Sequence, residues 1–328
     1  MNHQQKEAAF LAAWQQAKEY SALKKIWGGN MEEIKLQNNL KLPEDQTLLF
    51  PEDQKFPELL RQIPLPPLGI FVSGQLPSED SVCVTIVGTR RASTRGLRAA
   101  HDFAFALGQA GCSIVSGLAF GIDAAAHKGA LDARAKTIAV LASNPQTITP
   151  SSHSALAKRI IASGGAIISE FPPGHSTQPH HFLQRNRIAS GLSRVTLLIE
   201  APEGSGATAT ARFALDQNRD VFCLPGGYDD PLYFINHQLL KQGALLATKP
   251  SDILEFLDLE LPSQPAEYVP QNPQEDAILA ILKNASQPLS VDKIAENGNL
   301  DVQSVIITLT QLTLSDVIQE TPQGYRLR

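Results

Sequence analysis

Three glycine-rich turns in the middle of the chain carry residue types that bind anions. They read GTRRASTRG at 88–96, SGLAFGID at 116–123 and EAPEGSGATAT at 200–210. Glycine allows close backbone approach to a ligand, while hydroxyl groups, backbone N–H groups and arginine forks donate to phosphate. Each turn separates an apolar run from a helical pattern, and a helix N-terminus favours an anion. The turns therefore predict an anion-binding surface.

A fourth run, QRNRI at 184–188, has two arginines on either side of an amide and follows His180, His181 and Phe182. Arginine forks suit a phosphate backbone, and aromatic or guanidinium faces can stack on bases. The alternative is a salt-bridged helix start. Adjacent histidines point apart on a regular element, so we predict no metal site here.

Plainer interpretations apply to the turns as well. Asp123 is as well placed to cap a helix as to contact a ligand. The alternative role of Ser205 and Thr210 is to cap the start of a helix without contacting a ligand. His127 fits a hydrogen-bonded structural histidine better than a base, because no nucleophile motif accompanies it. The dinucleotide fingerprint GxGxxG is absent, which disfavours a nicotinamide cofactor. We predict that the protein binds no cofactor.

The elements that must position these turns alternate in type. Apolar runs at 82–87, 112–116, 137–142, 166–169, 195–200 and 220–224 predict strands. Amphipathic segments at about 96–110, 121–133, 153–163, 184–191 and 206–218 predict helices. This alternation predicts an α/β fold with a parallel sheet covered on both faces. Ligands of such sheets bind beyond the carboxyl ends of the strands, where the turns lie.

Charge is unevenly spread along the 328 residues. The net charge is −5 overall, with −3 over residues 1–81, +3 over 82–258 and −5 over 259–328. A polyanion site is therefore expected in the middle. The N-terminus lacks the pattern of a signal peptide, no run has the length of a membrane span, and the three cysteines show no metal spacing. We expect a cytoplasmic protein without membrane contact.

Proline-rich stretches divide the chain into four predicted parts. Residues 1–62 form a helical and Pro-rich region, 63–260 the sheet domain, 261–274 a linker and 275–328 a small C-terminal domain. The last part has the pattern helix, turn, helix and hairpin. Its second helix is capped by Asp301 and directs Val302, Val305, Ile306, Leu309 and Leu312 to a core.

The ordered motifs IVGTRRASTRG, SGLAFGIDAAAHKGAL, SEFPPG, RNRIASGLS, IEAPEGSGATATA and VFCLPGG resemble the DNA-processing protein A family (DprA, also called Smf). The resemblance covers roughly residues 50–258. It implies an extended Rossmann-like fold that binds single-stranded DNA, forms a homodimer and catalyses no reaction. Family members protect incoming DNA and help to load the RecA recombinase in natural transformation.

The resemblance assigns roles by motif position. The implied DNA- or phosphate-binding residues are Gly88, Thr89, Arg90, Ser116, Gly117, Arg185, Asn186, Arg187, Ser205, Gly206 and Thr210. The implied dimer interface is formed by Leu239, Leu240, Leu245 and Leu246. The loops at 142–150 and 233–237 depart from the family pattern, so we expect lost or altered contacts there.

Two further functions compete with this interpretation. Nucleotide phosphoribohydrolases have a related sheet, but their PGGxGTxxE motif becomes PGGYDDP at 225–231, and no base is paired with Glu170 or Glu200. The second competing function is that of a scaffold for recombination proteins. The C-terminal part resembles a winged helix, yet its charge argues against duplex DNA, so we expect a protein-contact or structural role.

Overall fold

A computed structural model describes residues 2–17, 20–28, 42–260, 270, 272–285, 287–314, 317–321 and 323–327. The chain forms two compact units, Met1–Leu261 and Pro262–Arg328. The strands of the first unit are β1 (Gln46–Leu49), β2 (Ile70–Gly74), β3 (Cys83–Val87), β4 (Ser113–Ser116), β5 (Thr137–Leu141), β6 (Ala166–Ser169), β7 (Val195–Leu198), β8 (Asp220–Cys223) and β9 (Leu245–Leu246). Its helices are α1 (His3–Ala17), α2 (Tyr20–Trp27), α3 (Glu58–Arg61), α4 (Thr94–Gln109), α5 (Ile122–Asp132), α6 (Ser154–Ala162), α7 (Pro179–Gly191), α8 (Ala207–Asp216), α9 (Phe234–Lys241) and α10 (Pro250–Phe256).

The strands form one sheet in the order β1-β2-β6-β5-β4-β3-β7-β8-β9. The pairs from β6 through to β9 are parallel, whereas β2 pairs antiparallel with both β1 and β6. The strands β3 to β7 are buried along their whole length, which explains their continuous apolar runs. The predicted α/β, Rossmann-like sheet is confirmed.

All six predicted strands form, each within two residues of its expected bounds. Helix α7 begins five residues before the predicted position. Pro179 occupies its first turn, and the Gln178 side chain and the His181 side chain complete a capping box there. Proline favours this position because its missing N–H group would have no helical partner.

The first sixty residues are part of the sheet unit, so the predicted boundary at residue 62 separates no compact unit. The four-residue strand β1 pairs with β2. It lies between two Pro-containing turns, so the sequence around it has the pattern of irregular chain. Helix α1 packs Phe10 and Trp14 into a cluster that also contains Phe50 and Phe71. The N-terminal helices therefore cover one end of the sheet.

The opposite edge of the sheet ends in β9. Leu245 and Leu246 are partly exposed there, as a dimer contact would require. Leu239 is buried in the core beneath α9, and Leu240 is partly buried against the same cluster. The Leu239 side chain packs inside its own chain and cannot touch a second subunit. Its predicted place in the dimer interface is therefore wrong.

The second unit contains α11 (Pro273–Lys283), α12 (Val291–Gly298), α13 (Val302–Leu314), β10 (Ile318–Thr321) and β11 (Gly324–Leu327). The predicted hairpin forms, but three helices precede it where two were predicted. The Asp301 carboxylate accepts the Ser304 N–H as predicted. The core contains Val305, Leu309 and Leu312. Val302 and Ile306 are instead exposed, so their predicted core role is wrong. The predicted linker 261–274 lies largely outside the described residues.

Replacing Phe10 by Ala tests whether the N-terminal helix belongs to the sheet unit. Phe10 is fully buried against Phe50 and Phe71, so its removal leaves a cavity. The free energy of unfolding should fall by about 3–5 kcal/mol. Urea unfolding followed by circular dichroism measures it. Leu65→Ala is the control, because Leu65 is 56% exposed. An early, separate transition of α1 with the main transition unchanged would contradict this assignment.

Candidate nucleic-acid interface

The three predicted turns meet at one edge of the sheet. Strand β3 lies between β4 and β7, and all three run parallel. The turns after these strands therefore leave from the same, carboxyl edge and lead into α4, α5 and α8. The chain also changes direction across the sheet between β3 and β7, which is where α/β sheets open a crevice for ligands.

The turn after β3 is held by a buried carboxylate, Glu200 at the end of β7. Its Oε2 accepts the Ser93 N–H at 2.9 Å and its Oε1 accepts the Ser93 hydroxyl at 2.5 Å. Ser93 Oγ in turn caps α4 by accepting the Gly96 N–H. A Cβ on Gly96 would lie 2.3 Å from Glu200 Cδ. The N-terminus of α4, where we expected a phosphate, is thus occupied by the protein's own carboxylate.

Tyr233 completes this arrangement from the opposite side. Its hydroxyl donates to Glu200 Oε1 at 3.3 Å. Burial and the neighbouring Glu200 carboxylate raise the pKa of Tyr233 to about 12, so the phenol keeps its proton. Tyr233 lies in a loop that departs from the family pattern, and here it contributes a donor to the Glu200 site.

The turn after β4 is held in the same way by Asp123. Its carboxylate accepts the N–H groups of Gly117 at 3.1 Å and Ala119 at 3.4 Å. Complete burial raises the pKa of Asp123, although Arg185 and the two N–H groups oppose that rise. Asp123 therefore organises the turn from within, which the sequence left open as capping or ligand contact.

Arg185 and Ser116 are internal as well. The Arg185 guanidinium donates to the carbonyl oxygens of Gly117 and Val140, and a Cβ on Gly117 would lie 2.4 Å from its Nη1. The Ser116 hydroxyl donates to Ile86 O at 2.7 Å and is fully buried. Direct phosphate contact by these two side chains, which we expected, is not available in this structure.

Arg187 forms a buried ion pair with Glu170. The two side chains are 5% and 1% exposed. Arg187 Nη1 donates to Glu170 Oε2 at 3.0 Å, Nη2 donates to Oε1, and Nε donates to Leu65 O at 3.0 Å. The expected phosphate contact of Arg187 is replaced by this pair, which fastens α7 to the end of β6 and to the chain before β2.

The third turn lies close to α7 through Asn186. The Asn186 Nδ2 donates to Gly206 O at 3.2 Å, and Ser205 Oγ accepts the Ala207 N–H at 3.3 Å. Gly206 is exposed, whereas Thr210 is 2% exposed and faces the core rather than the expected ligand. The Ser205 hydroxyl is therefore engaged by the first residue of α8.

A groove of about 630 Å³ opens beside this turn, between α8 and α9. Its walls include the apolar side chains of Leu183 and Phe234 together with Glu203, Arg212 and Asp216. Two carboxylates against one guanidinium give the groove a net negative lining, which disfavours a phosphate inside it.

The turns after β3, β4 and β7, together with the first turns of α7, form a rim at this edge of the sheet. The outward face of the rim is formed by the turn after β3 and the first turns of α7. Thr89 is nearly buried and accepts the Arg91 N–H at 3.2 Å, which fixes the turn. Arg90, Arg91 and Arg95 are exposed. The Arg90 guanidinium lies over the Phe182 ring, with Cζ 5.3 Å from the ring centroid. A cation beside an aromatic face can hold a phosphate and a base of the same nucleotide strand.

The acidic residues at this edge hold the site together, a role that the sequence does not reveal. From the sequence alone, Glu170 and Glu200 are only candidate catalytic acids. The one sequence signal for this role is that each glutamate comes directly after a buried strand, β6 or β7. The serine and arginine that they bind lie in neighbouring motifs. Among the described residues, no group of three histidine, cysteine, aspartate or glutamate side chains could hold a metal ion.

Comparison with known proteins places both units in one family. A family model described as DNA recombination-mediator protein A matches residues 47–258, and one described as DprA winged helix domain matches residues 262–324. The chain is 40% identical to protein Smf of Escherichia coli strain K12 over 290 residues, which cover 85% of this chain and 77% of that protein.

Two solved structures agree with this result. The X-ray structure of DNA processing protein A from Streptococcus pneumoniae matches with a TM-score of 0.61 and 29% identity, over 77% of this chain and 87% of that one. The protein from Helicobacter pylori, whose structure addresses its single-stranded DNA binding mode, matches with a TM-score of 0.57 and 27% identity, over 66% and 97%. In the described part of this chain, helices with the length and hydropathy of a bilayer span are absent.

Replacing Arg187 by Ala tests whether this arginine is structural. Glu170 would keep its buried charge and lose its ion-pair partner, so the free energy of unfolding should fall by about 3–5 kcal/mol in urea titrations. The double variant Glu170→Leu with Arg187→Met removes both charges and should recover most of that loss. Unchanged stability of Arg187→Ala would contradict the structural role.

Proposed function

The chain belongs to the DNA-processing protein A family, and we propose that its sheet unit binds single-stranded DNA along the outward face of the rim. The observation that carries the proposal is the exposed Arg90 guanidinium lying over the Phe182 ring. The study of the Helicobacter pylori relative as a single-stranded DNA-binding protein supports it.

The phosphates are held by outward side chains. Buried carboxylates already accept the N–H groups of Ser93, Gly117 and Ala119, so these three donors are not open to a phosphate. Arg90, Arg91 and Arg95 supply three exposed positive charges within one turn and the start of α4. Guanidinium groups form bidentate, charge-assisted bonds with phosphate oxygens.

The remaining predicted residues position the rim. A Cβ on Gly88 would lie 2.6 Å from Ile122 Cγ1, so glycine permits close packing of two turns. Asn186 joins α7 to the exposed Gly206 turn, so both residues hold the shape of the rim. The negative groove beside Gly206 directs the phosphates away from α8 and toward Arg90.

Bases stack on the Phe182 side of Arg90 or point outward, which gives weak sequence preference because every base has an aromatic face. The family model described as a recombination mediator supports transfer of the strand to the RecA recombinase. We propose that the protein acts in the cytoplasm as a homodimer. Exposed Leu245 and Leu246 on the edge strand β9 supply part of the contact.

Binding without catalysis is the activity that the edge carboxylates favour. Glu170 is engaged by Arg187 and Gln184, and Glu200 by Ser93 and Tyr233. A general acid or base must reach a substrate atom directly or through one water. Both carboxylates are almost completely buried, which argues against the phosphoribohydrolase alternative.

The winged-helix unit contacts protein rather than duplex DNA. Its helix α13 exposes Val302, Ile306 and Ile307, and residues 259–328 carry a net charge of −5. Phosphate recognition normally needs a positive surface, while exposed apolar side chains on one helix suit a protein partner.

Replacing Arg90 by Ala should weaken binding of single-stranded oligo-dT by roughly 5- to 150-fold, because a charge-assisted contact worth about 1–3 kcal/mol is lost. Mobility-shift titrations measure the change. The matched control is Arg194→Ala, an exposed arginine directly before β7 and so at the opposite edge of the sheet.

Salt dependence separates this contact from a change in fold. The slope of log affinity against log salt should shrink by about 0.7 for Arg90→Ala, the value for one phosphate of a single strand, and stay constant for Arg194→Ala. Equal slopes and equal affinities in all three proteins would exclude the rim as the binding site.

The isolated unit of residues 262–328 should leave a duplex oligonucleotide unshifted at moderate salt, because it has no positive footprint. The full chain, tested on a single strand of the same length, serves as the positive control. A shift of the duplex by the isolated unit would show that our assignment of α13 to protein contact is wrong.

A further inference from the structure

Phe120 is a large apolar side chain that projects from the turn after β4. Its side chain is 49% exposed, although the residues two positions away on either side are buried. Leu118 is fully buried two positions earlier, and Ile122 is fully buried two positions later. The turn therefore anchors its ends in the core and presents only its tip to solvent.

The conformation of this turn is fixed by several contacts. Leu118 has a φ of 58° and Gly121 has a φ of 75°, both in the left-handed region. Asp123 accepts the Ala119 N–H, and His153 Nδ1 donates to Leu118 O at 2.8 Å. A leucine at positive φ costs conformational energy, which the surrounding contacts must offset. The exposure of Phe120 is thus built into the turn.

His153 also supports the ring itself. The two ring centroids lie 4.9 Å apart with an interplanar angle of 67°. This edge-to-face contact restricts the orientation of the phenyl ring while much of its surface stays open. A restricted aromatic ring loses little conformational entropy when a flat group stacks on it.

The tip lies directly beside the backbone of Arg90. A Cβ on Gly121 would be 2.4 Å from Thr89 O and 2.8 Å from Arg90 O, and the Ile122 N–H donates to Thr89 O at 3.3 Å. The residue after Phe120 therefore touches the turn that carries the arginine. Arg90 has Phe182 under its guanidinium and the Phe120 turn against its backbone.

We infer that Phe120 is a second stacking platform, which takes an unpaired base adjacent to the nucleotide whose phosphate Arg90 holds. The inference rests on the proposed function and adds a base subsite to it. The occupant is an unpaired nucleic acid because a half-exposed phenyl ring lies on a turn that touches the backbone of Arg90, in a stretch where Arg90, Arg91 and Arg95 are exposed. A protein partner would need a broader apolar surface than one ring offers.

The test is a double-mutant cycle between Phe120→Ala and single abasic positions scanned along the shortest oligo-dT that the full chain binds. Phe120→Ala should weaken binding of the intact strand by roughly 5- to 100-fold, as for loss of one base–aromatic stack. One abasic position should remove this difference between wild type and variant. Phe120→Trp should retain or strengthen binding.

Equal DNA affinity of wild type and Phe120→Ala would overturn the inference, and so would a loss of affinity that is the same for every abasic strand. A change in oligomeric state, measured by sedimentation, without a change in DNA affinity would also overturn it. Arg90→Ala is measured in parallel. If it weakens binding while Phe120→Ala does not, the base subsite fails and the proposed function stands. If neither variant weakens binding, the proposed function fails as well.

Discussion

Buried carboxylates hold together the carboxyl edge of the sheet. Glu200 binds the turn that leads into α4, Asp123 binds the turn before α5, and Glu170 is paired with Arg187 of α7. Three N–H groups in the turns that lead into α4 and α5, where other α/β proteins receive phosphates, are thereby bound from inside. A polyanion therefore obtains most of its binding free energy from the arginines that project beyond this edge.

This constraint divides the arginines of the motifs into two kinds. Arg185 and Arg187 are interior groups whose donors end on carbonyl and carboxylate oxygens. Arg90 keeps its guanidinium outside, over an aromatic ring. An interior ion pair cannot be released to a ligand cheaply, since the partner would remain charged and buried. The interior arginines therefore give the rim its shape, and the outer one gives it affinity.

The sequence predicted much of the fold because the parallel strands are short apolar runs and the helices are amphipathic. It missed β1, whose four residues lie between prolines, and also β2 and the two-residue β9. It placed the start of α7 too late, because Pro179 marks a helix beginning rather than a break. Motif position brought Arg90 and Arg187 to the same edge but could not distinguish exposed from buried side chains. That difference depends on Glu170, which is 17 residues away from Arg187 and meets it only after folding.

A crystal structure of the full chain bound to oligo-dT tests the central claim most directly. The account predicts a phosphate oxygen within hydrogen-bond distance of the Arg90 guanidinium, with the Arg187 and Glu170 pair unbroken and Glu200 still bound to Ser93. A strand held by Arg187 after its release from Glu170, or by the backbone of α4 in place of Glu200, would contradict it.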